Sequence, residues 1–76
     1  MTPEAVKERE EQGFSTEMPA SGGLWYVVYD ENHNIAEKVA ITCRYGKFSV
    51  HGDYYGVELL AEFCRKTKGT MWRKIS

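Results

Sequence analysis

Seventy-six residues carry eleven acidic and ten Lys or Arg side chains, which bounds the chain to one domain of nearly neutral charge. Cys43 and Cys64 are the only cysteines, which argues against a disulfide framework, and no apolar run reads as a signal peptide or membrane span. A cytoplasmic protein with reduced thiols and no membrane partner is the expectation.

The first predicted element is a short helix over 3–12. Thr2 offers a hydroxyl cap, Pro3 suits the first helical position, Glu4 favours the positive end of the dipole, and Gly13 is a stop. Only Ala5 and Val6 are apolar between them, so this is a marginal helix or a disordered tail. Phe14 and Met18 are the segment's only sizeable apolar anchors, and Pro19-Ala20-Ser21-Gly22-Gly23 has linker composition. Residues 1–23 therefore read as an acidic flexible tail, with Glu4, Glu8, Glu10, Glu11 and Glu17 against Lys7 and Arg9, and 24–76 as a compact βββαβ body.

Leu24-Trp25-Tyr26-Val27-Val28-Tyr29 has the strongest strand preference in the chain. Its apolar side chains point to both faces, and a single helix covers only one. Asp30-Glu31-Asn32-His33-Asn34 is turn chemistry. A strand over 35–45 follows, then a two-residue turn at Gly46-Lys47 that sets Tyr45 opposite Phe48 and Cys43 opposite Val50. In that register the apolar residues share one face, while Arg44 stands beside Ser49 and Thr42 beside His51 on the other. Asp53 caps a predicted helix over 54–67 whose inner stripe is Val57, Leu60, Ala61 and Cys64, widened by Leu59 and Phe63, with Glu62 paired to Lys66. A last strand at 70–75 points Met71 and Ile75 one way and Trp72 the other. The fold class is α+β: a small antiparallel sheet, a three-stranded meander plus a short C-terminal strand, packed on one helix.

Cys43, Cys64, His33 and His51 lack the paired spacing of a zinc site. Ser49, His51 and Asp53 have the residue types of a hydrolase triad, but alternate positions on a strand are too far apart for a hydroxyl–imidazole bond. No metal, cofactor or catalytic residue is assigned, and the expectation is a non-enzyme.

Aromatic side chains are numerous for so small a body, and they dominate binding energy at protein interfaces. One set from the first strand, Trp25 or Tyr26, faces away from the helix, and Trp72 is expected to join it. Arg44 and the basic C-terminal residues Arg73 and Lys74 complete the candidate partner-binding set. The alternative is that the tail folds back, with Phe14 and Met18 covering that face.

In size, single domain and acidic tail, the chain resembles short accessory or inhibitor proteins of bacteriophages and mobile elements. The leading expectation is a small protein-binding module that occludes a surface of a larger protein or complex. Nucleic acid is the alternative partner, since cations interleaved with aromatics suit phosphate contacts and base stacking. Residues 24–67, opening Trp25-Tyr26-Val27-Val28-Tyr29-Asp30-Glu31-Asn32, resemble the small arm-binding domain of tyrosine recombinases, which implies DNA binding. That family's second and third strands are crowded with Lys and Arg, and these carry few. The helix–three strands–helix order is similar to double-stranded-RNA-binding domains, although Asp53-Tyr54-Tyr55 replaces their lysine cluster. A homodimer through the sheet edge or outer face is the remaining alternative.

Overall fold

The computed structural model describes residues 1–52 and 56–76. Asp53, expected as a helix cap, and Tyr54 and Tyr55 lie outside the described residues. The elements are α1 (Pro3–Glu11), β1 (Gly23–Val28), β2 (Glu37–Arg44), β3 (Lys47–Gly52), β4 (Gly56–Leu59), α2 (Leu60–Lys66) and β5 (Met71–Lys74), with a short 3-10 turn at Asp30–Asn32. The class is α+β: an open, five-stranded antiparallel sheet with two helices, in the strand order β4-β3-β2-β1-β5. Among the described residues no helix is long and apolar enough to cross a membrane.

β1 lies inside the sheet between β2 and β5, and both of its faces are covered. On one side α2 packs Leu60 and Phe63 against Val27, Val39, Ile41, Val50 and Trp72. On the other side Val28 and Met71 are sealed by Phe14, with Met1 and Val6 beside it. A strand with apolar residues at every position needs two covering layers, and the second is residues 1–14. Phe14 is only 5% exposed, whereas Met18, the other anchor expected there, is 53% exposed. Ser15 exchanges two 2.8 Å backbone hydrogen bonds with Trp72, which ties this segment to the outer side of β5. α1 begins as its sequence suggests, with the Thr2 hydroxyl accepting from the Ala5 N–H at 3.2 Å.

Several expectations differ from the structure. Ahead of the helix there are four strands, not three. Residues 56–59, placed in the helix by sequence, pair with β3 as an edge strand, so Val57 and Leu59 leave the apolar stripe and are exposed. A glycine inside a helix costs about 1 kcal/mol, and Gly56 adopts a left-handed φ of 68° that no α-helix accepts. α2 therefore starts at Leu60, and it buries Leu60 and Phe63 while Ala61 stays exposed. Glu62 pairs with Arg65, and Lys66 reaches Glu58 on β4 at 2.9 Å instead of Glu62.

The β2–β3 turn is also one residue earlier than expected. Tyr45 and Gly46, at φ 53° and 75°, form the two-residue connection, so Cys43 faces Phe48 and Arg44 faces Lys47. Both central residues of such a turn need positive φ, and glycine alone marked only one of them. Each residue's partner moves by two positions, and an even shift leaves every side chain on its expected face. The last correction concerns Trp72, which points to the α2 side, opposite Val27, and is 2% exposed.

Candidate functional site

The six residues expected to form one partner-binding surface are divided among three environments. Trp72 is a core residue, its ring centroid 5.7 Å from that of Phe63. Trp25 and Lys74 lie on the α2 side: the Lys74 ammonium sits 5.8 Å from the Trp25 ring centroid, and Trp25 Nε1 donates to the Ser21 carbonyl at 3.2 Å. Tyr26 and Arg73 lie on the opposite, outer face. The Arg73 guanidinium is 5.1 Å from the Tyr26 ring and 5.2 Å from the Phe14 ring, and its Nη1 donates to the Gln12 carbonyl at 3.1 Å. Arg73 is thus tied down by the N-terminal segment. Arg44 shares the outer face but stands beyond that cover.

The outer face therefore has two halves. Over β1 and β5 it is closed by α1 and Phe14. Over β2, β3 and β4 its positions are Lys38, Ala40, Thr42 and Arg44; Lys47, Ser49 and His51; and Val57 and Leu59. Among the described residues this half contains no acid, because the strand acids Glu37 and Glu58 occupy positions on the α2 side. A concavity of about 360 Å3 is lined by Thr42, Cys43, Arg44, Ser49, His51 and Val57. Within it Thr42 Oγ1 and His51 Nε2 are 2.8 Å apart, a diagonal bond across the β2–β3 ladder. The imidazole is thus hydrogen-bonded to the threonine that the sequence set beside it, although the two are diagonal and not directly opposite.

β4 is the exposed margin of this half. Val57 is 63% and Leu59 44% exposed, and among the described residues no strand pairs with the outer side of β4. At the other margin the outer side of β5 is taken at Trp72 by Ser15. Sequence reasoning placed Thr42, Arg44, Ser49 and His51 together, because the period of two is legible without the register. It missed Val57 and Leu59, whose spacing of two was absorbed into a helical stripe, and Lys47, which was assigned to the turn.

Cys43 is exposed at the end of β2, whereas Cys64, on α2, is partly buried against the core. That burial disfavours the thiolate and pushes the Cys64 thiol above its ordinary range. Among the described residues no group of three or more His, Cys, Asp or Glu is placed to hold a metal ion. Compared with known protein families, curated proteins and solved structures, the chain matches none of them.

Proposed function

We propose that the protein is a small, non-enzymatic binding module that docks on a larger protein through the open half of its outer sheet face. The observation that carries this reading is the pair Val57 and Leu59, aliphatic and exposed on an edge strand whose outer side is unpaired among the described residues. An edge strand offers backbone donors and acceptors to another chain, and sequences that avoid such pairing place charges or proline there. β4 reads Gly-Val-Glu-Leu, and its one charge, Glu58, is turned to the α2 side and paired with Lys66. Nothing on its outer face discourages docking.

Capture from the native host tests this. The wild-type chain and a Val57→Lys, Leu59→Lys variant serve as parallel baits, with bound proteins identified by mass spectrometry. A protein retained by the first bait and lost from the second supports the reading. Equal retention by both, or retention of no specific protein, overturns it.

A further inference from the structure

Resting on that reading, we propose that the segment received by this face is extended and acidic, with carboxylates reaching toward Lys47 and aliphatic side chains beside Val57 and Leu59. Arg44 and Lys47 stand directly opposite each other at the end of the β2–β3 ladder, on the same face. Like charges in that position repel and weaken a hairpin. Among the described residues neither cation has an acidic partner, and no acid occupies the surrounding outer positions. An arriving carboxylate at Lys47 offsets the repulsion and gains a charge-assisted contact, so a feature that weakens the free hairpin favours the occupied one.

The neighbouring groups fit the same ligand. Thr42 and Ser49 face each other, and their hydroxyls together with the His51 imidazole put polar groups in the concavity between the cations and β4. Val57 lies opposite His51, and Leu59 opposite Ser49, so the apolar strip runs alongside the polar one. A strand laid along β4 at the usual spacing of about 4.8 Å presents alternate side chains to this face. Aliphatic positions then meet Val57 and Leu59, and acidic positions reach toward the Lys47 end. Nucleic acid would also be drawn to the cations, but among the described residues the one ring on the strand positions of this half is the His51 imidazole, held by Thr42, with Tyr45 exposed in the turn beyond, so the titration compares nucleic acid directly. Tyr26, the ring on the other half, is stacked with Arg73.

The test is a titration of isotope-labelled full-length protein, followed by amide chemical shifts. The probe is an end-capped peptide repeating Glu-Thr-Val-Thr, which when extended carries Glu and Val on one face. The Gln-for-Glu peptide and a single-stranded oligothymidine of equal charge are the comparators. Saturable shifts at 42–49 and 57–59 with the Glu peptide are expected, weakened about tenfold by Lys47→Glu and by the Gln peptide. Circular dichroism confirms that the variant is folded. The proposal is overturned by the absence of saturable shifts with the Glu peptide, by shifts indifferent to Lys47→Glu, or by tighter binding of the oligothymidine. Failure of the parent reading looks different. A host protein captured equally by wild type and Lys47→Glu keeps the binding module and removes its acidic partner. Peptide binding with no captured protein removes the binding module as stated.

Discussion

The two halves of the outer sheet face are built from similar materials and end in opposite states. Over β1 and β5, Arg73 lies between the rings of Tyr26 and Phe14, and residues 1–14 close over Val28 and Met71. Over β2 to β4, Arg44 faces Lys47, and Val57 and Leu59 meet no covering segment among the described residues. Both halves combine an arginine with apolar side chains, but only one is supplied with a cover by its own chain. A guanidinium stacked on aromatic rings is a structural cation, whereas one set against another cation is a charge awaiting a counter-charge. The comparison thus separates residues that hold this fold together from residues the fold does not need.

The largest expected effect breaks the closed half. Phe14→Ala should destabilise the protein by about 3–5 kcal/mol, a large share of what so small a domain possesses. Equilibrium denaturant unfolding measures this, and a loss under about 1 kcal/mol would show that the N-terminal segment does not seal the sheet. Next is a contrast between neighbours. Leu60→Ala should cost about 2–5 kcal/mol, while Leu59→Ala should stay within about 0.5 kcal/mol. Comparable losses at both positions would return residue 59 to a helical stripe and abolish the β4 margin.

Smaller effects sharpen the contrast between the two arginines. Arg73→Ala should cost about 1 kcal/mol through the lost ring contacts, while Arg44→Ala should be neutral within about 0.5 kcal/mol. Lys47→Glu should raise stability by about 0.2–1 kcal/mol, because a repulsive cross-strand pair becomes an attractive one. A thermal melt that moves down for this variant would mean that the Arg44–Lys47 opposition is not felt. The smallest expectation concerns the thiols. Cys43 should alkylate with iodoacetamide well before Cys64 at mildly alkaline pH, since Cys43 is exposed and burial keeps Cys64 protonated. Mass spectrometry of timed digests reads the order directly.

Much of this arrangement is legible in the amino-acid sequence. The Thr2 cap, the β1 run and the face assignments along β2 and β3 depend on local chemistry or on a period of two, and both survive errors of register. The position of the β2–β3 turn was not legible, since it requires Tyr45 to take a positive φ that side chains with a Cβ disfavour. The β4–α2 boundary was hidden because Val57, Leu59 and Leu60 satisfy helical and strand spacing equally well over so short a stretch. Trp72 was misplaced for a different reason. Met71 and Trp72 are both large and apolar, and only the pairing with β1 decides which of them meets the helix. At the candidate site the cations were visible, but the apolar strip beside them depends on β4 existing at all.

The unequal margins of the sheet also limit how large an assembly the protein can seed. Indefinite growth of a β-ribbon, as in a fibril, requires each copy to accept a strand on one side and offer one on the other. Here one margin is interrupted at Trp72 by the Ser15 bridge, and β4 alone is unpaired among the described residues. Two copies joined β4 to β4 use up the unpaired margin of both, and each far margin carries the Ser15 bridge. The polymerisation hazard that normally accompanies an apolar edge is thereby reduced to a single terminating event.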